Sequence, residues 1–248
     1  MASVLVTGAS RGIGAAIARS LAGAGFRVAV HYNSSEEAAR RVLGELPGSG
    51  HMLLRADISD ASEAERLVQR SVDDLGGLDV LVNNAGVFEY HPVAGVGYRA
   101  WQEAWRMTLG TNLVAAANLS YCAARHMMSR GGGRIVNISS RGAFRGEPNA
   151  PAYGASKAGM NAMGQSLAQA LAPHNVLVFT IAPGWVDTDM AAPTLDSPDG
   201  EAVKAQSPMR RVATAEEIAR IALFCAQDAP AYMTAAIIDA NGASYLRT

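Results

Sequence analysis

The chain has 248 residues, 49% of them apolar, which is enough for one sizeable α/β core. Its formal net charge is −1 and no basic block interrupts it, so nucleic acid and anionic membrane surfaces are excluded as main partners. Apolar runs fall short of the ~20 residues of a membrane span. The start, MASVLVTG, carries no basic leader, so a signal peptide is not expected. Cys122 and Cys225 lack metal-ligand spacing and read as reduced thiols of a cytoplasmic protein without a metal.

In chain order, a short apolar run from Ser3 to Val6 leads into Thr7-Gly8-Ala9-Ser10-Arg11-Gly12-Ile13-Gly14, and a helical pattern follows to Ala24. Strand, glycine turn and helix in that order let main-chain N–H groups approach a pyrophosphate. The spacing Gly-x3-Gly-x-Gly also fits a plain tight turn. A second strand, Arg27 to Tyr32, ends in His31-Tyr32-Asn33-Ser34-Ser35, with no acid before Glu36. NAD-binding folds usually place a carboxylate there for the ribose hydroxyls. Its absence, with Arg11 in the glycine loop and neutral donors at Asn33, Ser34 and Ser35, favours NADP(H) over NAD(H). Ser34 with Glu37 also fits a helix capping box.

The alternation continues with helices from Glu36 to Leu46 and Ala61 to Leu75, and strands from His51 to Ala56 and Leu78 to Val82. Asp57 suits either an adenine amino group or the cap of the next helix. In Asn83-Asn84-Ala85-Gly86, the amides can tie loops together and the small pair lets a ribose pass. A long helical pattern from Tyr98 to Arg130 holds Asn112 in its interior, where asparagine competes with the backbone unless it is merely a surface residue.

A strand from Arg134 to Ser139 delivers Ser140, and Pro151 and Pro173 bracket the next helix. On that helix Tyr153 and Lys157 lie one turn apart, on one face. A phenol has a reference pKa of about 10; a nearby ammonium favours its phenolate and makes the hydroxyl a better proton carrier. A serine hydroxyl beside it can hold a carbonyl oxygen. Taken alone, Tyr-x3-Lys is equally an ordinary surface pair. Ala152, Gly154, Ala155, Ala158, Gly159 and Ala162 make the helix small-faced, which suits close packing against sheet, cofactor or another subunit. Val176 to Ala182 is the sixth strand. Trp185 to Arg211 lacks periodicity and reads as a lid over substrate or a surface excursion. A helix from Thr214 to Asp228, a strand from Ala236 to Asp239 and a tail to Thr248 complete the chain.

Together these motifs, with Pro183-Gly184, resemble the short-chain dehydrogenase/reductase family, in its order and at its intervals; Ser140 and Tyr153 are 13 positions apart. The likeness covers essentially the whole chain and is greatest to the 3-oxoacyl-acyl-carrier-protein reductase-like group. It implies one doubly wound Rossmann-type domain, a seven-stranded parallel sheet with helices on both faces, and a homotetramer. It implies that Tyr153 is the acid/base of reversible ketone reduction, that Lys157 lowers its pKa and binds nicotinamide ribose, and that Ser140 orients the substrate oxygen. Asn112 distorts its helix and holds a water. The same resemblance assigns the coenzyme to Gly8, Ser10, Arg11, Gly12, Ile13 and Gly14, to Asn33, Ser34 and Ser35, and to Asp57 and Ile58. Asn84, Ala85 and Gly86 sit beside its ribose, and Pro183, Gly184, Val186 and Thr188 hold its carboxamide end. Arg141, Phe144 and Trp185 join Ser140 and Tyr153 as the substrate wall.

The departures lie in the docking face. Val87-Phe88-Glu89-Tyr90-His91 replaces the Thr-Arg-Asp of acyl-carrier reductases, and His174 replaces a basic residue. An acyl-carrier protein is therefore the less favoured partner, behind a small carbonyl or alcohol substrate. A cofactor-binding regulator without turnover is the remaining alternative, marked by loss of Tyr153, Lys157 or Ser140; none is lost.

Overall fold

A computed structural model describes residues 1–247; Thr248, the end of the expected tail, lies outside the described residues. The branched apolar runs form β1 (Ser3–Val6), β2 (Arg27–Tyr32), β3 (Met52–Arg55), β4 (Val80–Asn83), β5 (Gly133–Ile138), β6 (Val176–Pro183) and β7 (Ile237–Ala240). All seven are parallel, in the order β3-β2-β1-β4-β5-β6-β7. Successive side chains serve opposite faces. Val4 and Val6 join one buried cluster while Leu5 joins the other, and Leu177, Phe179 and Ile181 are divided in the same way from Val176 and Val178.

Two sets of helices cover the two faces. α1 (Gly12–Gly23), α2 (Glu36–Glu45) and α10 (Ala215–Gln227) bury Ile17, Leu21, Val42 and Ile218 in the first cluster. α3 (Ala61–Leu75), α5 (Ala115–Ser129) and α7 (Pro151–Leu171) bury Leu67, Leu119, Met127 and Ala168 in the second. Each fully buried Leu or Ile contributes roughly 1.5–3 kcal/mol over its exposed state. The strand order reverses between β1 and β4, so the chain departs in opposite directions there and leaves a crevice at the carboxyl ends. Among the described residues, no helix is long and apolar enough to cross a membrane.

Several local expectations change. The long helix divides into α4 (Tyr98–Leu109), a π-helical turn at Gly110–Val114 and α5. The Ser34–Glu37 capping box does not form: Ser35 is the N-cap without a side-chain bond, and Glu37 is drawn to Arg41 at 3.0 Å. Asp60, not Asp57, caps α3 by accepting from the Ser62 and Glu63 N–H groups. Asp57 instead accepts from the Ser59 main chain and hydroxyl. Within the aperiodic stretch after Trp185 lie α8 (Ala192–Leu195) and α9 (Gly200–Ala205), too short to show a period; α6 (Gly142–Arg145) is a single turn.

Candidate active site

The glycine loop after β1 is fastened from three strands. At Gly8, φ is +61° and an added Cβ would lie 2.9 Å from the Ala85 backbone, so a side chain does not fit. The Thr7 hydroxyl accepts from the Asn84 and Ala85 N–H groups at 3.0 Å. The Asn84 amide donates to the Thr7 and Gly8 carbonyls at 2.8 and 3.0 Å. From β2, His31 Nδ1 accepts from the Gly8 N–H, and its Nε2 meets the Ala56 carbonyl, both at 3.1 Å. Those partners fix the neutral tautomer with its proton on Nε2, and burial pushes the imidazole down to about 4. The sequence reading passed over His31; a polar residue inside an apolar strand beside the glycine loop was the available signal.

At the start of α1, Arg11 is an N-cap that makes no side-chain bond, and the first turn has no acid. Its leading N–H groups thus remain for an outside anion, which fits a dinucleotide pyrophosphate at this crevice. Thr188 lies against the same loop: a Cβ at Gly12 would sit 3.2 Å from its methyl group.

Ser140, Tyr153 and Lys157 converge at the carboxyl end of β5. The pairing of β5 with β6 continues past Ser140, since Ser139 N–H donates to the Ile181 carbonyl and Arg141 N–H to that of Pro183. The Ser140 hydroxyl accepts from the Gly142 N–H at 3.0 Å. Lys157, 3% exposed, donates its ammonium to the Ile138 carbonyl at 2.8 Å; burial pushes it down to about 8. Its Nζ lies 5.7 Å from the centre of the Tyr153 ring. Burial pushes the phenol up to about 12, with the nearby Ser140 hydroxyl opposing and the Glu147 charge adding. Desolvation is the largest effect on the phenol, so its net shift runs opposite to the lowering expected from Lys157.

Asn112 sits in the π-helical turn, completely buried. Its amide brackets Val87, accepting from the N–H at 2.8 Å and donating to the carbonyl at 3.0 Å. It also donates to the Ser156 hydroxyl, which donates to the Tyr153 carbonyl at 2.7 Å. The loop after β4 is thereby joined to α7. Gly86 lets them close: a Cβ there would be 3.3 Å from Asn112 Oδ1 and 3.6 Å from Lys157 Nζ. The Phe88 ring meets that of Tyr153 edge-on at 5.0 Å.

Farther along the crevice, Asn33 and Ser34 are exposed at the end of β2 and Ile58 is buried after β3. Glu36 and Glu37 are held by Arg40 and Arg41 at 2.6 and 3.0 Å. Arg11 faces Asp189 across 4.0 Å, both well exposed, so the pair is weak. Arg55, paired in register with Tyr32, donates to the Asn33 carbonyl at 3.2 Å. The sequence reading missed this cation because only strand pairing brings it to the end of β2.

The supposed substrate wall is not gathered as expected. Arg141, 4% exposed, donates to Ser244 and Gln206. With Trp185 it lines a cavity of about 160 Å³ toward α10 and the end of β7, to which neither Ser140 nor Tyr153 contributes. Phe144 lies under the Arg247 guanidinium at 4.5 Å. The aperiodic segment is pinched at its base, where Asp187 N–H donates to the Ala213 carbonyl and Ala213 N–H to that of Trp185, both at 2.9 Å.

Known proteins resemble this chain along nearly their whole length. The family model for enoyl-(acyl carrier protein) reductase matches residues 8–242. An acetoacetyl-CoA reductase of Rhizobium meliloti is 36% identical over 97% of both chains. A 3-oxoacyl-[acyl-carrier-protein] reductase of Staphylococcus aureus is 35% identical over 98% of both. A crystal structure from Sinorhizobium meliloti, described as that of a short-chain alcohol dehydrogenase, superposes with a TM-score of 0.90 at 35% identity, covering 98% of this chain and 96% of the other. With its parallel sheet, its glycine-loop crevice and these full-length relatives, the chain belongs to the short-chain dehydrogenase/reductase family of NAD(P)-dependent oxidoreductases.

Proposed function

We propose that this protein reduces a 3-oxoacyl thioester or another small ketone to the secondary alcohol with NADPH, reversibly. The observation that carries this reading is the convergence of Ser140, Tyr153 and buried Lys157 beside the glycine-loop crevice. When bound, the nicotinamide supplies the hydride. Ser140 orients the carbonyl oxygen and Tyr153 delivers the proton to it as charge develops there. A phenol kept protonated by burial is ready for that direction. Lys157 steadies the phenolate left behind. Asn112 holds the loop after β4 against the helix of both residues.

The coenzyme is held, in this reading, by the first turn of α1, with Ser10 and Ile13 on the loop, Asp57 and Ile58 at the adenine and Asn84 to Gly86 at the ribose. Pro183, Gly184, Val186 and Thr188 hold the carboxamide. The 2′-phosphate of NADPH meets Arg11, Arg55, the exposed Asn33 and Ser34, and Ser35. The carboxylates in the first turn of α2, Glu36 and Glu37, are occupied by their own arginines. The pinched segment from 185 to 211 acts as a lid. The relatives' names support an acyl-thioester substrate. The loop from Val87 to His91 supports a small thioester over a carrier-linked one.

The test is turnover of acetoacetyl-CoA with NADPH and with NADH, beside crotonyl-CoA as an enoyl control. We expect acetoacetyl-CoA to be reduced, NADPH to be favoured at least tenfold, and Arg55→Ala or Arg11→Ala to narrow that ratio, a charge-assisted hydrogen bond being worth about 1.5–3 kcal/mol. Reduction of crotonyl-CoA alone, or preference for NADH, overturns the respective half.

A further inference from the structure

His91 lies in the loop that leaves β4 and is 1% exposed. Its Nε2 stands 3.2 Å from the Ala152 main-chain nitrogen and its Nδ1 2.7 Å from the Glu89 carbonyl oxygen. A main-chain N–H can only donate, so Nε2 is the acceptor, Nδ1 carries the proton and the ring is neutral. The residue is fixed on two further sides. Its own N–H donates to the Asn149 carbonyl at 2.8 Å, and its ring meets Trp101 edge-on at 5.4 Å.

The donor it accepts from is a particular one. The first turn of α7 has no side-chain cap: its N-cap is Ala150, and Pro151 has no N–H to satisfy. The Tyr153 and Gly154 N–H groups both find the Ala150 carbonyl, at 2.9 and 3.3 Å. The Ala152 N–H, one residue before Tyr153, is buried and has His91 as its acceptor. The same short loop carries Phe88, whose ring packs on that of Tyr153.

We propose that His91 is a positioning residue for the reaction: it caps α7 from a distant loop, sets the place of Tyr153 at the head of the helix, and couples that place to the loop bearing Phe88. The catalytic consequence rests on the reading of Tyr153 as the acid/base; the cap itself does not.

Three variants test it. His91→Phe keeps a ring on Trp101 but removes the acceptor. His91→Gln places an amide oxygen near the position of Nε2, whereas His91→Asn is too short to reach Ala152 and retains only the contact with Glu89. Because small misplacements of a reacting group are costly, His91→Phe and His91→Asn should lose on the order of ten- to a hundredfold in kcat. KM and coenzyme Kd should stay within about twofold, and His91→Gln should recover most of the rate. Hydrogen exchange in the first turn of α7 should quicken in His91→Phe and His91→Asn and not in His91→Gln. Should His91→Phe not fold, the comparison of Gln with Asn carries the same test. Equal kcat in Gln and Asn variants, or unchanged exchange in His91→Asn, overturns the proposal. If the wild type reduces no ketone, the assigned reaction fails while the exchange measurement still decides the cap.

Discussion

Lys157 and Tyr153 stand one turn apart on α7, and burial moves both toward their neutral forms, the ammonium down to about 8 and the phenol up to about 12. Since Lys157 carries its proton only below its pKa, kcat/KM for ketone reduction should be level at lower pH and fall as pH rises through about 8. Lys157→Arg, charged throughout, should extend the plateau upward; a wild-type profile with no limb near pH 8 removes Lys157 from the mechanism. Tyr153→Phe should lose about 10²–10⁴-fold in kcat with coenzyme Kd little changed, as expected when only a general acid is removed. Retention of a substantial fraction of the wild-type rate would show that another group moves the proton. The identity of these residues was legible in the sequence because an i, i+4 spacing survives any tertiary context. The direction of the phenol's shift was not, because it depends on what the folded chain packs around the hydroxyl.

At the scale of elements, β2, β3 and the glycine loop meet through His31. Its folded pKa of about 4 lies below the ordinary histidine value of 6.5, so the unfolded chain takes up the proton first. The stabilisation is complete above about pH 6.5 and is lost as pH falls toward about 4, an effect on the order of 3 kcal/mol. His31→Gln should flatten that part of the stability curve in denaturant melts at a series of pH values; an unchanged slope would place the acid sensitivity elsewhere. The strands and long helices of this layer were readable from apolar runs and from Pro151, whose ring fits the first turn. The distortion at Asn112 was implied by the family resemblance and found; what periodicity could not show is its form, and which polar residues serve as caps. The π-helical turn follows from Asn112 reaching Val87 and Ser156. The caps at Asp60 and at Thr214 with Glu217 depend on which of several adjacent polar residues the backbone finally faces. The short helices after Trp185 hold too few residues for a period to be seen.

The whole molecule leaves two surfaces uncovered on different flanks. On α7, Ala155, Ala158 and Ala162 form an exposed stripe at helical spacing, beside which Val114 and Tyr121 are 50% and 66% exposed. On the other flank, β7 is the last strand of the sheet among the described residues, with Arg247 donating to its Ile237 carbonyl, and Phe224 and Tyr232 are exposed. An edge strand and small-residue helix faces are both surfaces that invite a second copy of the chain. If each surface pairs with itself about a twofold axis and the two axes cross at right angles, they generate a closed tetramer of dihedral symmetry. Light scattering at micromolar concentration should therefore give about four times the 25.9 kDa chain mass. Ala158→Arg puts a cation into the stripe without touching the sheet edge, and should leave a dimer that unfolds at lower temperature. Because the inner face of the same helix carries Tyr153 and Lys157, that dimer should also turn over more slowly. A wild-type monomer, or an Ala158→Arg tetramer as stable as the wild type, would show that α7 faces solvent in the working protein.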